Sequence, residues 1–95
     1  MGKVRKHLII RGWVQGVFFR STLQERAYQR GVKGWVRNNH DGSVEAVLEG
    51  DEEAVKVLIS WCYRGPRGAR VDDVYISDEP YTGEFSSFSI KYHEW

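Results

Sequence analysis

The sequence predicts an α+β fold in which two helices cover one face of a mostly antiparallel sheet of four or five strands. Three observations support this prediction. Alternating apolar residues indicate several short strands, apolar residues at helical spacing indicate helices between them, and an Asp-Gly pair joins two of the strands directly. A chain of 95 residues with 41% hydrophobic residues is large enough for one domain, residues 1–95, and too short for a second.

The first strand is predicted over residues 4–12, where Leu8 and Ile10 fall on the same face. A short connection separates this strand from the first helix. Thr22 and Glu25 have the spacing of a capping box, in which each side chain binds a backbone N–H group near the start of a helix. We therefore expect the first helix to begin at about Thr22.

A β-hairpin is predicted next, from two alternating segments over residues 32–38 and 43–49. Between them lies a short polar stretch that contains Asp41 and Gly42. An Asp-Gly pair favours a tight turn, because glycine readily adopts the positive φ that such turns require. The second and third strands are therefore expected to be antiparallel neighbours.

The second helix is predicted to begin after Asp51, a favourable N-cap residue, and to end at residues 64–66. Residues 70–76 and 88–95 then have the pattern of two further strands. The order is βαββαβ with a terminal strand, which is the ferredoxin-like sandwich, an architecture that hosts many functions. The predicted buried stripe of the second helix consists of Val55, Leu58, Ile59 and Cys62.

Composition excludes several classes of protein. Fourteen Lys and Arg against thirteen Asp and Glu give a net charge of +1, too little to indicate a nucleic acid or an anionic membrane as partner. The single Cys62 cannot form an internal disulfide, no segment has the pattern of a secretory leader, and no apolar run approaches the roughly 20 residues of a membrane span. His7, His40 and His93 are too scattered for a metal site. We expect a cytoplasmic protein.

The connection "WVQGVFFR", residues 13–20, carries a glycine and ends on an arginine where the helix approaches. The first N–H groups of a helix have no internal partner, so a loop folded around Gly16 could add its own amides to make an anion site. Arg20 would add a planar cation suited to phosphate. The plainer interpretation, favoured by the loop alone, makes Val17 and Phe19 core residues and Arg20 a solvated side chain.

A longer pattern resembles a known family. The residues from Gly12 to Arg20 match, without a gap, the glycine-x-valine-glutamine-glycine-valine-x-phenylalanine-arginine signature of the acylphosphatases. Residues 34–45, "GWVRNNHDGSVE", resemble the second signature of that family. The later segments "GPRGARV" and "FSIKY" follow in the same order, so the resemblance covers essentially the whole chain.

The resemblance implies an acylphosphatase, which hydrolyses the mixed anhydride of a carboxylic acid and phosphate to carboxylate and inorganic phosphate. It implies a small-molecule acyl phosphate as the partner and no metal or organic cofactor. We separately expect a monomer. Arg20 and Asn38 would be the catalytic residues, Asn38 by orienting the attacking water. The phosphate-binding residues would be Gln15, Gly16, Val17, Phe18 and Phe19, through their backbone amides, together with Arg20.

Three alternatives stay open on the residues alone. Asn38 has the position of an ordinary turn residue just before the Asp-Gly bend. The same order of strands and helices also builds RNA-recognition domains, although residues 42–50, "GSVEAVLEG", place aliphatic and acidic residues where such domains carry aromatic ones. A relative without enzymatic activity could keep the anion site for regulation.

Overall fold

The structure, a computed structural model, describes residues 2–92 and confirms the predicted α+β fold. Within these residues there are two helices and five strands. The elements in chain order are β1 (Lys3–Trp13), α1 (Phe19–Gln29), β2 (Lys33–Asn38), β3 (Val44–Asp51), α2 (Glu52–Cys62), β4 (Arg70–Glu79) and β5 (Phe88–Lys91). The last predicted strand is thus shorter than expected, and residues 93–95 lie outside the described chain.

The five strands form one sheet in the order β4-β1-β3-β2-β5. β1 pairs antiparallel with both β3 and β4, β2 pairs antiparallel with β3, and β5 pairs parallel with β2. The predicted hairpin turn is present between β2 and β3. The Asn39 N–H donates to the Ser43 carbonyl at 2.9 Å, and Gly42 has a φ of +92°. This turn places the end of β2 beside the start of β3.

The core lies between the sheet and the two helices. Leu8 and Ile10 on β1 are fully buried, as the alternation of the first strand predicted. Trp61 on α2 packs against Phe19 on α1, with ring centroids 5.1 Å apart. The predicted stripe of α2 is therefore incomplete, because it omits the buried Trp61 and includes Ile59, which is only partly buried.

The predicted start of the first helix is wrong. α1 begins at Phe19, with Phe18 as its N-cap residue in the left-handed conformation, and no side chain caps it. The N–H of Thr22 donates instead to the Phe18 carbonyl at 3.1 Å. Phe19 is only 1% exposed, and burial of an aromatic ring stabilises the fold by about 2 kcal/mol, more than the roughly 1 kcal/mol of a cap. Core packing therefore sets the start of this helix.

The segment 80–87 must cross the sheet, because it joins strands at opposite edges. A buried carboxylate on β3, Glu49, fastens it to the face away from the helices. Glu49 is 2% exposed and accepts hydrogen bonds from the backbone N–H of Thr82 at 2.9 Å and of Gly83 at 3.1 Å, and from the Arg5 guanidinium at 3.2 Å. Burial alone would raise the pKa of Glu49, but these hydrogen bonds outweigh it and lower that pKa.

Candidate active site

A hollow of about 290 Å³ lies beside the start of α1 and the ends of β2 and β5. It is formed by the loop after β1, the first turn of α1 and the last residues of the two strands. Strand order explains this meeting, since β2 and β5 are parallel neighbours and both end beside the helix start. The lining residues are Val14, Gly16, Phe18, Phe19, Arg20, Ser21, Asn38, Ile90 and Tyr92.

The backbone between β1 and α1 turns sharply and leaves several amides without a partner, as the predicted anion site requires. Gly16 has a φ of +77° and Phe18 a φ of +67°, so two nearly adjacent residues are left-handed. Within residues 2–92, the N–H groups of residues 16–21 donate to no backbone carbonyl, and Thr22 makes the first amide hydrogen bond of the helix. Unpaired amides at the positive end of a helix attract an anion.

The predicted phosphate-binding arginine lines this hollow. Arg20 is half-buried, and no carboxylate of the described chain lies within ion-pair distance of it. Its guanidinium carbon lies 5.3 Å from the centre of the Tyr92 ring, in a cation–π contact. The ring supports the guanidinium while leaving its N–H groups without an acidic partner, which suits a site that must accept an incoming anion.

Asn38 lies at the last position of β2 and lines the same hollow as Arg20. In the sheet it is paired with Val44, and by alternation it shares the helix-facing side with the buried Val36. The hairpin turn begins one residue later, at Asn39, whose N–H closes the turn. Asn38 is therefore a strand residue directed toward the site, and the turn interpretation applies to its neighbour.

Two of the predicted phosphate-binding residues have side chains that do not line the hollow. Val17 packs against the core, as the plainer interpretation of the loop held for this position. The Gln15 side chain instead donates two hydrogen bonds to the hairpin turn. For both residues, any contact with an anion falls to the backbone amide, which is the role that the family resemblance implied for them.

The sequence did not identify four of the lining residues: Val14, Ser21, Ile90 and Tyr92. Their place in the site depends on the folded structure or is not indicated by the signature. Val14 belongs to the signature, but the signature does not indicate that its side chain lines the hollow. Ile90 and Tyr92 follow from the pairing of β5 with β2, which joins segments more than 50 residues apart. Ser21 was missed because the helix was predicted to begin at about Thr22, whereas Ser21 lies in its first turn. The short "FSIKY" segment was the one available signal for the strand residues.

A larger hollow, about 420 Å³, lies between α1 and the starts of β2 and β5. Its walls include Tyr28, Val32 and Phe88, and its charged residues are Glu25 and Lys33. A carboxylate beside the single cation disfavours a phosphate dianion. This hollow therefore has volume but lacks the chemistry of an anion site.

The other reactive side chains do not form a second centre. Cys62 is buried, and burial raises the pKa of its thiol to about 12, so it remains a neutral core residue. Among residues 2–92, no three His, Cys, Asp or Glu side chains come together as metal ligands would. Neither helix of the described chain has the length and hydrophobicity that a membrane span requires.

The fold and the site define a class: a ferredoxin-like sandwich with a hollow between its first strand and first helix that is bordered by unpaired amides and an arginine. The acylphosphatase family model matches residues 6–90. An acylphosphatase of Pelotomaculum thermopropionicum is 48% identical over 92 residues, covering 97% of this chain and 100% of the relative. Another, from Pyrobaculum calidifontis, is 56% identical over 88 residues, covering 92% of this chain and 80% of the relative.

A solved structure agrees with these sequence matches. The crystal structure of acylphosphatase from Bacillus subtilis superposes with a TM-score of 0.90 at 34% identity, covering 94% of this chain and 99% of that one. The chain belongs to the acylphosphatase family, whose members are hydrolases acting on acid anhydrides. The predicted family and the predicted ferredoxin-like fold are both confirmed.

Proposed function

We propose that this chain hydrolyses acyl phosphates by direct attack of an oriented water on phosphorus. The phosphate is held by the backbone amides of residues 15–19 and by the Arg20 guanidinium, and Asn38 orients the water. One observation carries the proposal: Arg20, Asn38 and the unpaired amides at the start of α1 all border one hollow.

Charge complementarity supports phosphate as the bound group. Within the described part of the chain, the lining residues include one cation, Arg20, and no carboxylate. Backbone amides and the helix N-terminus add fixed positive dipoles at the same place. If the transition state of phosphoryl transfer is loose, negative charge spreads over the equatorial oxygens, and preorganised donors stabilise it without rearrangement.

The leaving group explains why the hollow needs no general acid. An acyl phosphate releases a carboxylate, which is a weak base and departs without a proton. Among residues 2–92, none of those that line the hollow is Asp, Glu, His or Lys. The absence of a strong acid or base among these side chains therefore suits an anhydride better than a phosphate ester of an alcohol, whose alkoxide would need protonation.

The role of Asn38 follows from the chemistry of a carboxamide. It donates and accepts hydrogen bonds without becoming charged, so it can align a water that it cannot deprotonate. The bond that forms joins the water oxygen to phosphorus, and the bond that breaks joins phosphorus to the carboxylate oxygen. The proton of the attacking water passes to a phosphate oxygen of the substrate. Positioning of the two reactants supplies much of the acceleration.

Several finer statements belong to the same proposal. The chain acts as a single domain of residues 1–95, as a monomer in the cytoplasm, on a small molecule and without a nucleic acid or a membrane as partner. Inorganic phosphate is a product, so it should compete with the substrate for the same amides. The scheme requires neither a metal ion nor an organic cofactor.

The test measures phosphate release from benzoyl phosphate in the presence of EDTA. We expect turnover by the wild-type chain, and a fall in kcat/KM of at least about 10²-fold in Arg20→Gln and in Asn38→Ala, because each removes a group that acts on the transition state. Arg30→Gln removes an arginine from the other end of α1 and should change the rate less than twofold. Wild-type protein that binds phosphate without turnover would favour a regulatory anion site instead.

A further inference from the structure

The side chain of Gln15 joins the two halves of the site. Its carboxamide nitrogen donates to the Asn39 carbonyl at 2.7 Å and to the Ser43 carbonyl at 2.9 Å. Gln15 directly precedes Gly16 in the anion-binding loop, and Asn39 directly follows Asn38. Both hydrogens of one carboxamide are thus used to hold the loop that binds phosphate against the turn that follows the water-orienting residue.

The hairpin turn that receives these bonds is already internally fixed. The Asn39 N–H donates to the Ser43 carbonyl at 2.9 Å, and the Asp41 carboxylate accepts from the N–H and the hydroxyl of Ser43 at 3.0 and 2.6 Å. These hydrogen bonds hold the pKa of Asp41 at about 2, so it stays ionised near neutral pH. The turn is therefore internally braced. Arg11 on β1 also donates to Asp41 at 3.1 Å, and the two bonds from Gln15 join the turn directly to the loop.

We propose that Gln15 is a positioning residue that sets the distance between the Asn38 carboxamide and the bound phosphate. This inference rests on the proposed function, since it concerns the water that Asn38 orients. The Gln15 side chain suits this role because its carboxamide nitrogen carries two N–H donors, one for each of the two carbonyls. A glutamate at this position would direct a negative carboxylate at two carbonyl oxygens and would push the halves apart.

Placement matters here because catalysis depends on alignment. A misplacement of about 1 Å by a change outside the reacting groups can cost on the order of 10²-fold in rate. Phosphate binding depends on amides and on Arg20, which the loop and the first turn of α1 carry, so it should be less sensitive than the placement of the water. Loss of the Gln15 bonds should consequently lower kcat more than it weakens the binding of inorganic phosphate.

The experiment is a double-mutant cycle between Gln15→Met and Asn38→Ala, with kcat for benzoyl phosphate and the inhibition constant of inorganic phosphate as readouts. Methionine keeps the length of the side chain and removes both donors. We expect kcat to fall by about 10-fold to 10²-fold, with the inhibition constant changed by less than about threefold. In the Asn38→Ala background, the same substitution should lower kcat by less than about threefold, because no oriented water is left to misplace.

A matched control separates positioning from general support of the fold. Gln24 also donates from its carboxamide to a backbone carbonyl, that of Phe88, at 3.0 Å, and it lies outside the site. Gln24→Met should lower Tm to a similar extent as Gln15→Met while kcat stays within twofold of wild type. Should Gln15→Met not fold, Gln15→Asn, whose donors sit one methylene short, replaces it with the same expected split between kcat and inhibition.

Three outcomes overturn the inference. Equal losses of kcat in the wild-type and Asn38→Ala backgrounds would show that Gln15 does not act through Asn38. A parallel fall in kcat and phosphate affinity would place its effect on the loop alone, and unchanged kcat in Gln15→Met would remove the role altogether. Undiminished turnover in Asn38→Ala would instead overturn the proposed function, and this inference with it.

Discussion

The chain passes from a strand to a helix twice within the βαββαβ order, and the two passages are built in opposite ways. Between β1 and α1 a loop intervenes, Phe18 is left-handed, and no acidic side chain lies in the first turn of the helix. Between β3 and α2 there is no loop, and Glu52 and Glu53 occupy the first turn. Asp51, at the N-cap position, pairs with Lys3 at 2.9 Å.

Both passages end at a helix N-terminus, where the unpaired amides carry a partial positive charge. At α2 the chain neutralises that charge with its own carboxylates. At α1 it leaves the charge available, and it adds Arg20 without an acidic partner in the described chain. A helix start is therefore not a site by itself. What distinguishes the first passage is that acids are kept out, and that a loop brings further amides to the same place.

Among changes at the two passages that leave Arg20 in place, the largest effect is expected from Gly16→Ala, which would redirect the loop amides. Gly16 has a φ of +77°, and no atom lies within 4 Å of the place that a Cβ would take, so the added methyl meets backbone strain and no clash. We expect a loss of about 1 kcal/mol in stability and a fall in kcat/KM of at least about 10-fold, since misdirected donors stabilise the transition state less. Phosphate release from benzoyl phosphate and urea denaturation measure the two effects.

Gly31→Ala is the matched control for that prediction. Gly31 lies after the other end of α1, with a φ of +68° and the same open surroundings. It should lose a similar amount of stability while keeping its activity. Equal losses of activity in both variants would mean that strain, and not the direction of the amides, explains the effect.

The next effect is expected from Ser21→Glu, which gives the first turn of α1 the acidic character of α2. Ser21 lines the hollow, so a carboxylate there would occupy the positive end of the helix and repel phosphate. We expect KM and the inhibition constant of phosphate to rise by about 10-fold, and the rise to shrink at high salt. Steady-state kinetics at two ionic strengths test this. The reverse change, Glu52→Gln, should leave both constants unaltered.

A smaller effect, of opposite sign, is expected from Phe18→Gly. Phe18 is 80% exposed, so its ring contributes little to the core, while its left-handed backbone costs about 1 kcal/mol. Glycine removes that strain at a cost of at least about 0.5 kcal/mol in chain entropy, so we expect a net gain in stability of at most about 0.5 kcal/mol. Asp51→Gly, at the second passage, should lower stability instead. Thermal unfolding of the two variants gives the comparison directly.

The smallest effect concerns the pH dependence at the second passage. A hydrogen bond from Lys3 lowers the pKa of Asp51 below its ordinary value of 3.8. A carboxyl whose pKa is lower in the folded than in the unfolded chain stabilises the fold at pH values above its unfolded pKa. This contribution is lost as the pH falls through the lower pKa of the folded chain. Asp51→Asn should therefore lower Tm slightly at pH 7, and its difference from wild type should disappear as the pH falls through the lowered pKa. A constant difference at all pH values would exclude the ion pair as its cause.

The sequence predicted the strands and the hairpin well because their signals are local. The alternation that includes Leu8 and Ile10 is the pattern expected of a strand with one buried face. The Asp-Gly pair favours a tight turn without help from the rest of the chain. β4 was predicted too short, since its second half is largely exposed and carries little apolar pattern. Its pairing with β1 as far as Glu79 holds that half in the sheet.

The features that the sequence could not provide are those set by distant parts of the chain. The helix was predicted to begin at about Thr22 but begins at Phe19. The reason is that the Phe19 ring packs on Trp61, and this contact between residues far apart in sequence outweighs the capping pattern. The part that Tyr92 plays beside Arg20 depends on where β5 lies in the sheet. The signature marks Gln15 as important, but only the folded chain shows that its side chain reaches the hairpin turn.

The position of β1 between β4 and β3 affects how the chain can fold during its synthesis. Both partners of this strand, β3 and β4, follow it in the chain, and β4 ends only at Glu79. During synthesis one hydrogen-bonding edge of β1 stays unpaired until β3 has been made, and the other stays unpaired until β4 has been made. Long-range pairing of this kind slows folding and prolongs exposure to aggregation. A nascent chain halted before β3 should accordingly be a substrate for chaperones.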